Sequence, residues 1–329
     1  TVIQGNALEE EIAKERETLI TFYYATNGDQ WKNNSNWCSD KPISEWYGVG
    51  VSNGHVTSLS LGTNKLSGNI PIEIGHLINL TSLELSQNEL SGNIPLEIGN
   101  LENLTFLALH TNKLTGSIPL DISYLSNLTY LDLSYNKLSG SIPSSIGKLK
   151  NLTHILLQMN KLTGTIPFEV GNLSNLYSLI LSQNELSGNI PSSIGKLENL
   201  TELYLNMNKL TGAIPMEISD LSNLVFLVLE DNQLSGEIPS SIGQLKKLIN
   251  LSLGRNQLTG TIPPSLGNLT NLTMFQLGDN QLTGSIPPEI CRYKNLESFY
   301  IGSNNLTGNL PEEFVNIMYA NPGVWNNCL

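Results

Sequence analysis

One arithmetic fact constrains the fold of this chain more than any other: an asparagine that returns at a constant step. Asn64, Asn88, Asn112, Asn136, Asn160, Asn184, Asn208, Asn232, Asn256, Asn280 and Asn304 stand 24 residues apart with no insertion. Leu follows each at +2 (Leu66 through Leu306), Gly at +4 (Gly68 through Gly308) and Pro at +7 (Pro71 through Pro311). Eleven of the 15 prolines therefore do one repeated job. The unit reads LxLxxNxL(S/T)GxIPxxIGxLxNL, as in Leu83 to Leu104. A period of this size marks stacked units, each too small to bury its own leucines.

The pattern predicts what each unit does. Leu83-Glu84-Leu85 alternates apolar and polar, as a short strand with one buried face does. Stacked, such strands form a parallel sheet with a spacing of about 4.8 Å, so eleven units give an arc of roughly 50 Å. The recurring Asn sits where the chain leaves the strand, and an inward amide there can satisfy backbone groups of its own and neighbouring turns. The residue before each Pro is driven to extended geometry. Ile98, Leu101 and Leu104, three apart, suit a tight helical turn on the other side.

This repeat resembles the plant-type leucine-rich repeat, whose hallmark is the LxGxIP segment, over about Val56 to Pro311. Receptor-kinase ectodomains, polygalacturonase-inhibitor-like proteins and similar bacterial and protist proteins share it. The resemblance implies an α/β leucine-rich-repeat solenoid. Its features are a right-handed superhelix, a concave parallel β-sheet, 3-10 turns on the convex side, a helical N-terminal cap and a second short sheet at LxGxIP.

Residues 1–58 lack the repeat and are expected to cap one end. Ala7 to Ala25 reads as an amphipathic helix burying Leu8, Ile12, Leu19, Phe22 and Tyr23, stopped at Thr26-Asn27-Gly28. Trp31, Trp37 and Trp46 follow; they could form a sugar platform, but covering the open end of the array is the favoured reading. Trp46-Tyr47-Gly48-Val49 resembles the W-x-G-V of the family's cap. The flanking cysteines usual in that cap are missing here, which points to a bacterial or protist member. Residues 59–311 form the repeat array, and 312–329 an irregular or truncated end. There Asn327-Cys328-Leu329 echoes a repeat one residue early, so the chain is either cut from something longer or closed by the segment Ile317 to Trp325. Cys38, Cys291 and Cys328 show no readable pairing, and Cys291 is read as a small packed thiol.

Composition narrows function mainly by exclusion. A net charge of -12 argues against a nucleic-acid binder, and no apolar run is long enough to span a membrane. Thr1 to Asn6 has no signal-peptide layout. His110 and His154 fall in different columns with no closing ligand set, so no metal and no cofactor are expected. Gly147-Lys148 and Gly195-Lys196 are followed by Leu rather than Ser or Thr, and no GxSxG occurs. The chain reads as no enzyme. Sequons such as Asn79 and Asn103 arise from the xNLT of the repeat itself, and Asn33 adds one in the cap segment.

Variable positions carry the functional signal. Side chains six and four before each Asn should face solvent from the concave sheet. There Phe106, Tyr130, Asp132, His154, Leu156, Ile180, Glu202, Tyr204, Phe226 and Val228, bordered by Met159 and Met207, form the expected ligand face. Exposed contiguous apolar surface marks an interaction site, and aromatics and Met are enriched in interfaces. Nearby Glu230, Asp231 and Asp279 favour a partner with positive charge. The expected function is protein or peptide binding, extracellular or at the cell surface. The alternatives are inhibition of a cell-wall-degrading hydrolase and a structural or adhesive role, including ice-surface binding through the alternating Thr/Ser of LTG and LSG.

Overall fold

A computed structural model describes residues 2–320, with side chains for 5–316. The segment 321–329, which holds Cys328 and the echo of a further repeat, lies outside the described residues, as do the side chains from Ile317 onward. The chain divides into two compact units, 1–162 and 163–329.

In residues 1–162 the hairpin Val49–Ser52 and His55–Ser60 starts the main sheet, and one short parallel strand per repeat continues it through His154–Leu156. Leu59, Leu83, Leu107, Leu131 and Ile155 stand in register across it and are buried. In residues 163–329 strands from Ser178–Ile180 to Ser298–Tyr300 do the same, with Leu179, Leu203, Leu227, Leu251, Phe275 and Phe299 in register. Burying each such side chain contributes roughly 1.5–3 kcal/mol, which no isolated unit could collect. After the repeat Pro of each unit from Pro71 to Pro287 the chain makes a five-residue 3-10 turn, such as Leu96–Asn100 and Met216–Asp220. A second short sheet forms at the LxGxIP segment: three strands in the first unit, four and two in the second.

The repeated asparagines lock successive turns together. Asn112 Nδ2 donates to Leu85 O and Leu109 O (both 3.0 Å), while its Oδ1 accepts Leu90 N at 2.9 Å. Asn232 repeats the set, donating to Leu205 O and Leu229 O and accepting from Leu210 N at 3.0 Å. One side chain thus serves three backbone groups: two carbonyls, each shared with the Asn of an adjacent repeat, and one amide. The residue before each Asn adopts positive φ, from Thr63 (54°) to Ser303 (54°). The LxGxIP glycine needs the left-handed region too: Gly92 has φ 73°, and a Cβ there would lie 2.7 Å from Asn69 Oδ1.

The cap helix runs Val2–Ala25, five residues longer at its start than the apolar pattern indicates. Those residues extend by helix propagation, which needs no buried stripe. Leu8, expected in the core, is 42% exposed. The first hairpin and the 72–76 turn meet the helix, the hairpin through pairs such as Val56 N to Glu15 Oε2 (2.9 Å) and His55 with Glu15 (3.3 Å). Asn27, at φ 55°, supplies the left-handed residue after the helix. Trp31, Trp37 and Trp46 are buried and pack in series, 4.9 and 5.1 Å between centroids. Their indole N–H groups donate to Thr26 O, Tyr47 O and Lys41 O, so they are core rather than platform. Toward the other end, Phe314 of helix Glu312–Ala320 is buried against Phe299 at 4.9 Å. Cys38 and Cys291 are free thiols.

Candidate ligand-binding face

On the solvent side of the strands, the first unit carries a row of rings. Phe106, Tyr130 and His154 are register partners. The Phe106 and Tyr130 rings stack at 4.7 Å and 10°, and Tyr130 and His154 lie 5.4 Å apart at 40°. Parallel pairing forces this, because identical positions in consecutive repeats are held at the strand spacing. Leu156 stands half-buried beside the rings and Met159 is 37% exposed.

Asp132 does not project to solvent as its column indicates; it is 5% exposed. Ser134 donates to its Oδ1 from both N (3.0 Å) and Oγ (2.6 Å), folding the carboxylate down beside the strand end. Tyr130 OH reaches its other oxygen at 3.5 Å. Burial, then the Asp132 charge and this hydrogen bond, push the Tyr130 phenol up to about 12.

In the second unit Ile180, Glu202, Tyr204 and Phe226 are half-buried on the same side of their strands, and Met207 is 46% exposed. The Tyr204 and Phe226 rings are 6.0 Å apart at 30°. Val228, expected on the surface, is only 5% exposed, because its register partner is the much taller Tyr204. It forms floor rather than contact surface. Burial, and then Glu202, raise the Tyr204 phenol.

Two further columns, two and one before each Asn, border the face. The positive-φ residue turns its side chain toward the face's edge, which is how Met159 and Met207 reach it (φ 58° each). Tyr135, half-exposed at φ 54°, comes to the border the same way and is not singled out by the strand pattern. Asn206 is also missed; its Oδ1 is buried without a hydrogen-bond partner. Burial, and then Asp231, raise the Glu230 carboxyl, while Arg255 pairs with Asp231 at 3.0 Å.

Other surfaces exist. A row of exposed apolar side chains opens the 3-10 turns: Ile72, Leu96 and Leu120 in the first unit, Phe168 and Met216 in the second. A polar cleft of about 530 Å³ in the first unit is lined by His55, Asn79, Thr81, Asn103 and Thr105 among others. Among the described residues, no three His, Cys, Asp or Glu side chains come together to hold a metal ion, and no helix is long and apolar enough to cross a membrane.

Repeats of this build define a class, and sequence comparison agrees with it. A family profile described as leucine-rich repeat region matches residues 98–209, and the single leucine-rich repeat profile matches 79–101, 199–221, 223–245, 247–269, 271–293 and 295–317. The chain belongs to the leucine-rich-repeat family, and its repeats are of the plant type. It is similar to the solved structure of PEPR1–AtPEP1, with 32% identity over 92% of this chain and 46% of that one (TM-score 0.81). It is similar to the ectodomain of the Arabidopsis receptor kinase HAESA in complex with an IDA peptide hormone ligand, with 36% identity over 95% and 52% (TM-score 0.79). A plant ice-binding protein matches at 31% identity over 91% of this chain and 97% of that one (TM-score 0.76). The chain thus spans about half the length of the two receptor chains. No curated protein matches it.

Proposed function

We propose that this chain is a non-catalytic recognition module, working outside the cell or at its surface, that receives a peptide or protein segment on the solvent side of its parallel strands. The observation that carries the reading is the half-buried ring row on the solvent side, Phe106–Tyr130–His154 in one unit and Tyr204–Phe226 in the other. The strands do not need it, since their other side already buries the leucines. Strands pinned by Asn bonds offer a preorganised surface, so little ordering cost falls on this partner. Support comes also from the peptide hormone ligand in the HAESA complex. The proposed contacts are Phe106, Tyr130, His154, Leu156 and Met159 in one unit and Ile180, Glu202, Tyr204, Met207 and Phe226 in the other.

The test is selection of displayed random linear peptides on the intact chain. Each binder is then measured against two variants of unchanged thermal stability, Tyr130→Glu and Tyr204→Glu. Loss of binding in either variant is the expected result. Binders indifferent to both would move recognition off the strands.

A second reading, adsorption to ice or another regular surface, has one observation in its favour. Thr57, Thr81, Thr105, Thr129 and Thr153 form a column in the first unit, and the hydroxyls of the last four donate to the carbonyl of the preceding member at 2.9–3.1 Å. Their rotamers are thereby fixed in a regular row, and the plant ice-binding protein matches over nearly all its length. Ice-growth inhibition lost in Thr105→Lys would favour this reading; none in the intact chain would remove it.

A further inference from the structure

We infer that the second unit holds a receiving site for one basic side chain, an arginine or lysine of an extended peptide, between Asn206 and Glu230. The inference rests on the strand face being the ligand surface and names the chemistry of one ligand group.

The geometry begins with the backbone. Strands Glu202–Tyr204 and Phe226–Val228 pair in register, and just beyond them Met207 N donates to Glu230 O at 3.0 Å. Asn206 and Glu230 are therefore neighbours in one column of adjacent repeats. Asn206 brings a buried Oδ1 with no partner. Leaving such an oxygen unpaired costs about 1–3 kcal/mol, and turning the amide out toward an arriving donor would recover it.

Glu230 brings a carboxyl whose charge is penalised by burial and by Asp231. Arg255 offsets this only in part, because its guanidinium pairs with Asp231 Oδ2 at 3.0 Å. The site therefore holds two oxygen acceptors and a shortage of donors.

That shortage selects the ligand. A carboxylate or phosphate would be repelled, and an amide or hydroxyl would bring acceptors of its own. Guanidinium and ammonium are donors without acceptors that also carry a fixed positive charge, whereas the donor-only indole is neutral. The surroundings suit the rest of such a side chain. The Tyr204 and Phe226 rings stand two to four positions earlier on the same strands, able to carry an aliphatic stem or face a cation. Glu202 adds a further negative charge to that side of the unit.

The peptides selected on the intact chain provide the test. Those lost in Tyr204→Glu should share a Lys or Arg. Replacing that residue with Gln should weaken binding to the intact chain by about tenfold, the scale of a charge-assisted hydrogen bond. In a Glu230→Gln background the same peptide change should cost less than about twofold, the signature of a direct pair in a double-mutant cycle. Equal losses in both backgrounds, or face-binding peptides without a shared basic residue, would overturn the basic site while leaving the ligand face standing. If no peptide binds, or binding ignores Tyr130→Glu and Tyr204→Glu, the face reading fails and the site falls with it. Thermal melting of each variant separates these results from misfolding.

Discussion

Tyr130 points its hydroxyl at the buried carboxylate of Asp132, 3.5 Å away and two residues along the same strand. The two groups are coupled through charge: Asp132 already bears a negative charge, so ionising the phenol beside it is opposed. Together with burial this holds Tyr130 up to about 12. Removing the charge in Asp132→Asn should therefore lower the Tyr130 pKa, the sign following from repulsion between two anions. Alkaline titration followed by tyrosinate absorbance, with Tyr130→Phe as the assignment control, measures it. An unchanged titration in Asp132→Asn would show that burial alone sets the value.

Asn232 offers a test of what holds the stack. Its side chain makes bonds to Leu205 O, Leu229 O and Leu210 N. Asn232→Ala strips Leu210 N of its acceptor, while Leu205 O and Leu229 O keep the amides of Asn208 and Asn256, and should lower unfolding stability by about 1–3 kcal/mol. Denaturant melts should show a lower midpoint. A loss below about 1 kcal/mol would mean that water or a local shift replaces the bonds.

Glu230 provides a stability prediction independent of any ligand. Its folded carboxyl titrates above its unfolded one, so the fold favours the protonated form. The cost is absent below the unfolded value near pH 4.3 and grows as pH rises through the folded value. Glu230→Gln should therefore melt higher than the parent at pH 7, with the gap closing toward acid pH. A gap independent of pH would assign the effect to packing. A residue that lowers stability where it stands is a reasonable place to look for function.

Most of the fold was legible because the repeat states it eleven times: strand, Asn turn, LxGxIP and 3-10 turn all follow from one column alignment. The face was legible as columns but not as depths. Asp132 is drawn down by Ser134 two residues later, and Val228 is overshadowed by Tyr204 from the neighbouring repeat. Both depend on which side chains happen to be adjacent, which a column read alone does not register. The left-handed residue before each Asn was silent for another reason. Thr, Gln, Tyr, Met, Asp and Arg all occupy it, so no residue type announces the conformation. Asn206 went unread because it sits between the strand columns and that turn.

The direction of the Asn bonds has a consequence for how such a chain can change. Leu90 N is served by Asn112 and Leu210 N by Asn232, so each of these turns is completed by a side chain contributed from its successor. A copy inserted as a full period meets the same donor and the same acceptor on either side. A fragment of a period leaves a backbone amide facing nothing. Length is therefore free to drift by duplication while phase is not.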